Sequence, residues 1–84
     1  MPKVKLYTLS TCPWCHRAKR FFQDKHIAVD CVDYDLAGAK EQEKILAEMK
    51  GYGGGESFPL IVIGGEVIEG FDPERFSQCL GLDG

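Results

Sequence analysis

The sequence predicts an α/β domain in which a four-stranded mixed sheet carries helices on both faces, in the order βαβαββα. Three observations predict it. Short apolar runs of strand character alternate with amphipathic segments of helical period. The first run, the first helix and the second run have the spacing of a parallel pair joined by a crossover helix. The last two runs are separated by Gly64-Gly65, a hairpin turn signal. The length, 84 residues, suits one domain spanning 1–84 with a single modest core.

The elements follow in order. Val4, Leu6, Tyr7 and Leu9 make the first run a buried strand, which Ser10-Thr11 breaks. Pro13 stands at the first helical position, where its fixed φ and missing N–H cost nothing. Trp14, Ala18, Phe21 and Phe22 recur at i, i+4, i+7 and i+8, the apolar face of a helix ending near Lys25. Ile27, Val29 and Cys31 alternate as a half-buried strand, closed by Asp33-Tyr34-Asp35. A second helix is expected from Ala37 to Lys50, with Ile45, Leu46 and Met49 as its apolar stripe. Gly51 sits where a C′ glycine would stop it. Gly53-Gly54-Gly55 then reads as a loop whose glycines suit movement. Leu60 to Ile63 and Val67-Ile68 are the hairpin strands. Asp72-Pro73 supplies an N-cap carboxylate and a first-turn proline for a last helix, which buries Phe76, Cys79 and Leu80.

Composition excludes several functions. A chain that is 44% hydrophobic and 27% charged is globular rather than disordered. Ten basic residues against thirteen acidic, net −3, do not suit a polyanion binder, so no nucleic acid is expected. The longest apolar run is Phe58 to Ile63, far short of the roughly 20 residues that span a bilayer, so no membrane is expected either. The start, Met-Pro-Lys-Val-Lys-Leu-Tyr, lacks the roughly 7–15-residue apolar core of a secretory signal, and the expected location is cytoplasmic.

The cysteines carry the chemistry. There are four: Cys12, Cys15, Cys31 and Cys79. Structural zinc would want a second close pair, and the histidines, His16 and His26, do not supply one. No metal is expected. Cys12-Pro13-Trp14-Cys15, at the junction of the first strand and first helix, has the thioredoxin-like redox signature. Disulfide exchange needs a thiolate, and a free cysteine with pKa about 8.5 is mostly protonated at neutral pH. A helix N-terminus favours the anion, so Cys12 is the expected nucleophile. Cys15, one turn in and more shielded, is the expected resolving thiol. Trp14 either contacts substrate or packs on the helix face. His16 reads as a solvent-facing helix position. Arg17, Lys19 and Arg20 read as a solvated face that adds positive field. Cys31 and Cys79 fall on apolar faces and read as core packing.

In these motifs the chain resembles the glutaredoxins along nearly its whole length. The resemblance rests on Tyr7-Thr8, on Cys12 to Cys15, on Ser57-Phe58-Pro59, on Ile61 to Gly65 and on Gly70-Phe71-Asp72. It implies a small thiol–disulfide oxidoreductase with no bound cofactor and with glutathione as redox co-substrate. Its partners would be glutathione and disulfide-containing client proteins, and the protein would act as a monomer. Pro59 would be the family's cis-proline, turning the backbone of Phe58 toward substrate. Gly70, Phe71 and Asp72 would receive the γ-glutamyl end of glutathione; read locally, Asp72 is an N-cap. With Pro13 and Trp14, these residues complete the implied substrate site.

Three departures oppose strong glutathione capture. Leu9 replaces a common lysine, Gly55-Glu56 replaces a common cation, and Glu69-Gly70-Phe71-Asp72 replaces Gly-Gly-x-Asp. Each charge-assisted bond lost costs about 1.5–3 kcal/mol. Lys40 or Lys50 is a candidate to compensate. The alternative is a redoxin of the same shape reduced by a thioredoxin-reductase-type donor. A third reading is an iron–sulfur carrier, which Pro13 disfavours.

Overall fold

The computed structural model describes residues 3–54 and 57–81. Its elements are β1 (Val4–Thr8), α1 (Pro13–Asp24), β2 (Asp30–Asp33), a 3-10 turn (Tyr34–Leu36), α2 (Ala39–Gly51), β3 (Leu60–Ile63), β4 (Glu66–Glu69) and α3 (Pro73–Leu80). The sheet order is β2-β1-β3-β4. β1 pairs parallel with β2, Leu6 opposite Cys31, and antiparallel with β3, Leu6 opposite Ile61. β3 and β4 form the hairpin across Gly64-Gly65. The predicted mixed sheet and element order are therefore those observed.

The period of two sends alternate residues to opposite faces. Val4, Leu6, Ile61 and Ile63 pack with Ala18 and Phe22 of α1 and with Phe76 and Leu80 of α3. Tyr7, Leu60 and Val62 pack with Ile45 and Met49 of α2. Helices thus cover both faces, and each fully buried large side chain contributes about 1.5–3 kcal/mol. The buried Tyr7 hydroxyl donates to Glu48 Oε1 at 2.7 Å, and Lys5 Nζ reaches the same oxygen at 3.1 Å.

Three details differ from expectation. The second strand starts at Asp30, because Ile27 belongs to the end of α1. His26 takes the left-handed conformation (φ 56°), with its N–H on Gln23 O and the Ile27 N–H on Phe22 O. That is a Schellman closure, and Ile27 and Phe22 make its accompanying apolar contact. Cys31 is exposed rather than buried, because β2 is an edge strand and half its residues face solvent. Cys79 is half-buried against the core as expected. The second helix runs through Gly51, and it is Gly53 (φ 82°) that turns the chain. Gly53 N–H bonds Lys50 O at 2.9 Å and Gly54 N–H bonds Met49 O at 3.1 Å, again a Schellman pair.

Gly54 is needed for space. A Cβ there would lie 2.6 Å from Leu60 Cδ1, and Leu60 is fully buried. Gly54→Ala is expected to cost about 1–3 kcal/mol by overpacking, read as a lower urea midpoint at unchanged m-value. An unchanged midpoint would mean that the Gly54–Leu60 approach is looser than the structure shows.

Candidate active site

The end of β1 delivers the chain to Cys12, which is the N-cap of α1 with extended backbone (φ −84°, ψ 119°). Pro13 follows at the first helical position. The preceding loop is tied down. Cys12 N–H donates to Leu9 O at 3.2 Å, Ser10 N–H donates to Asp35 Oδ1 at 2.8 Å, and the Ser10 hydroxyl also reaches the Asp35 carboxylate. His16 Nε2 meets Ser10 O from the helix side, so His16 is exposed but not idle. The two Ser10 bonds hold the Asp35 carboxyl below its usual range.

Cys12 and Cys15 are free thiols of opposite character. Cys15 is fully buried, and Leu9 N–H donates to its Sγ at 3.4 Å. Burial above all, aided by the adjacent Cys12, pushes its thiol up to about 12 against the opposing pull of Leu9 N–H and Lys19. Cys12 is partly exposed. Its slight burial opposes ionisation, but the Cys15 N–H, the Cys15 thiol and the Trp14 N–H outweigh that and hold its pKa below the ordinary value. Two of these donors are N–H groups of the first turn of α1, so the helix start itself contributes to the shift.

At Trp14, between the two cysteines in sequence, the structure brings together five of the expected substrate residues, without Pro13 or Asp72. Trp14, Phe58, Pro59, Gly70 and Phe71 line one shallow groove. Trp14 is 54% exposed, so it lies outside the core stripe of α1, and its ring stacks on Phe71 with centroids 6.2 Å apart. The Phe58–Pro59 bond is cis, and Phe58 leans on Tyr34 at 5.5 Å. Gly70 N–H is committed to Pro59 O at 2.8 Å. Asp72 Oδ1 accepts from Arg75 N–H at 3.2 Å, the N-cap reading. Lys40 and Lys50 do not line the groove. Gly55 and Glu56 lie outside the described residues, as does part of the predicted glycine loop.

The sequence reading missed one cluster behind Cys15. Lys19, expected on a solvated face, is three-quarters buried and its Nζ contacts Asp33 Oδ1 at 2.8 Å. The buried Thr8 hydroxyl lies between that carboxylate and Val32 O (3.0 Å), with Cys31 Sγ at 3.5 Å. Bonds from Lys19 and Thr8 lower the Asp33 pKa. Lys19 is four residues after Cys15 on α1, which places its charge over the buried thiol. The i,i+4 spacing was the available signal. Among the described residues, no group of three or more His, Cys, Asp or Glu side chains gathers as a metal site. No helix of the described residues is long and apolar enough to cross a membrane.

A Cys-x-x-Cys pair at the first helix start of such a sheet defines a thiol redoxin of thioredoxin-like fold. The glutaredoxin family model matches residues 4–68, and the chain belongs to the glutaredoxin family of thiol oxidoreductases. It is 37% identical over 78 residues to a glutaredoxin-like 8.6 kDa protein in the rubredoxin operon of Clostridium pasteurianum, covering 92% of this chain and 96% of that one. It is 35% identical over 72 residues to glutaredoxin 3 of Escherichia coli K12, covering 86% and 81%. The crystal structure of Methanosarcina acetivorans methanoredoxin superposes with a TM-score of 0.88 at 28% identity, covering 95% and 85%.

Proposed function

We propose that this C-P-W-C redoxin reduces protein disulfides and glutathione mixed disulfides, with Cys12 as nucleophile and Cys15 as resolving thiol. One observation carries the reading: two thiols three residues apart, Cys12 lowered and Cys15 pushed up to about 12. At neutral pH Cys12 is the one ready to attack. Its sulfur bonds one client sulfur, the client S–S breaks, and the departing thiolate takes a proton. That spends the Cys12 charge, and with it a contribution that holds the Cys15 proton in place. Cys15 then loses its proton and attacks Cys12 Sγ. The Cys12–Cys15 disulfide forms, the second client thiol leaves, and two electrons have passed to the client. An external donor must return them.

Pro13 stiffens the reactive turn, and the Phe58 backbone pairs with the extended client segment. Trp14, Pro59, Gly70 and Phe71 complete the groove, and Asp72 caps the helix that starts beside it. The protein works as a monomer in the cytoplasm, with glutathione as co-substrate and no resident cofactor.

A second reading, with a thioredoxin-reductase-type donor in place of glutathione, has specific support. The groove is apolar, Leu9 brings no cation, Lys19 is bound to Asp33, and Gly70 N–H is already engaged. The resemblance to a methanoredoxin and to a rubredoxin-operon protein leans the same way. The deciding assay is reduction of a small mixed disulfide by glutathione, coupled to glutathione reductase and NADPH. Turnover that rises with glutathione supports the first reading. Negligible turnover with both thiols titratable removes glutathione and leaves the reductase. Colour in anaerobically purified protein would instead favour the iron–sulfur alternative.

A further inference from the structure

Next to the groove, an aromatic strip with two arginines continues along α1. Phe71, half-buried, is shared between the groove and a second depression lined by Arg17, Arg20, Phe21 and Asp24. The Arg17 guanidinium lies 4.9 Å from the centre of the Trp14 ring, which itself stacks on Phe71. The two depressions are therefore one surface bridged by Trp14, Phe71 and Arg17.

Its charge is local and available. No ion pair among the described residues engages Arg17 or Arg20, whereas Lys19 on the same helix is held by Asp33. The chain as a whole carries net −3, so this pair of cations, on the helix that begins at the dithiol, runs against the overall sign. Asp24 closes the far end of the strip, away from Cys12. A partner's carboxylates are thus drawn toward the dithiol side. From Trp14 to Arg20 the strip extends about 9 Å along the helix at 1.5 Å per residue, beyond the need of a small disulfide. Exposed aromatics and arginine are the residue types that dominate protein–protein contacts.

We propose that Trp14, Arg17, Arg20, Phe21 and Phe71 dock a protein partner whose disulfide segment carries carboxylates beside an aromatic or aliphatic side chain. This rests on the thiol–disulfide reading and specifies its partner. The arginines steer and orient the acidic segment, and the aromatic strip receives its apolar side chain. The chemistry at Cys12 and Cys15 is unchanged.

The test uses three disulfide-cyclised peptides of one length, each with phenylalanine beside a cysteine, flanked by glutamates, lysines or glutamines. Each is mixed with the reduced protein, and peptide reduction is followed by quenched-flow chromatography. The acidic peptide is expected to react about tenfold faster than the basic one at low ionic strength. That ratio is expected to approach one in about 1 M salt. In Arg17→Glu/Arg20→Glu, whose sites are exposed, the ratio is expected to invert. Because it is a ratio within one protein, it is insensitive to a changed Cys12 thiolate. Equal rates for all three peptides would overturn the docking surface while leaving thiol exchange intact. So would a ratio that charge reversal does not move, or a preference for the basic peptide. No reaction with any peptide would remove the exchange reading and the docking surface together.

Discussion

Cys12→Ser is expected to lose exchange with every disulfide, by about three orders of magnitude or more, as removal of an enzyme's nucleophile does. The alcohol has no accessible anion at neutral pH, and the other thiols cannot substitute. Cys15 is buried and its proton is held up to about 12, while Cys31 stands on the edge strand. Cys15→Ser is the contrasting variant. If glutathione is the donor it retains reduction of glutathione mixed disulfides, which needs one thiol, and loses protein disulfides, which need two. The pH dependence follows from the same geometry. The lowered Cys12 pKa places the rise in alkylation rate at lower pH than for an ordinary free thiol. Slight burial opposes that shift, and the Cys15 N–H and thiol are the leading forces that produce it. Cys15→Ser keeps a donor, whereas Cys15→Ala removes it. The alkylation curve is therefore expected to move to higher pH in Cys15→Ala than in Cys15→Ser. Coincident curves would mean that the helix start acts alone, and exchange surviving in Cys12→Ser would overturn the assignment of roles.

Much of this was legible in the residues, because the features concerned are local. The Gly64-Gly65 turn, the Asp72-Pro73 helix start and the dithiol after β1 each announce themselves within a few positions. What escaped depends on tertiary partners or on competing local solutions. Ile27 looks like the first inward residue of a strand, yet its apolar side chain closes the end of α1. Gly51 and Gly53 are both fit to stop α2, and no propensity separates them. The structure uses Gly53, which leaves Tyr52 in position for its ring to meet Tyr7 at 6.3 Å. Lys19 and Asp33 are fourteen positions apart, and they meet because β2 lies parallel to β1 beneath α1. The Trp14–Phe71 stack likewise needs α1 and the start of α3 to lie on one face. The thiol chemistry is written in adjacent residues, but the surface that would choose a partner is assembled from distant ones.

Phe76→Ala is expected to be the most damaging single change to stability. Phe76 is fully buried, and its ring meets those of Phe21, Phe22 and Phe71 at 5.4, 5.3 and 5.9 Å. Truncating such a residue costs about 3–5 kcal/mol, through lost transfer energy and the cavity left behind. A domain of this size has about 5–15 kcal/mol in all, and each kcal/mol moves Tm by about 4–8 °C. The melting temperature should fall by roughly 12–40 °C. Trp14→Ala removes a larger ring, but from a site 54% exposed, so the loss should be about 1 kcal/mol, chiefly its stacking on Phe71. Paired melts of the two variants therefore separate burial from ring size. Similar losses in both would mean that α3 does not seat Phe76 against α1 as described. The same side chain also links stability to the groove, because Phe71 rests edge-on against Phe76. In Phe76→Ala, studied well below its own melting point, Phe71 loses that support and the Trp14 stack should loosen with it. Trp14 is the one tryptophan of the chain, so its fluorescence reports this directly. The core aromatic then sets how firmly the groove wall is held, and a partner that binds the Trp14–Phe71 pair should in turn raise the melting temperature of the whole domain.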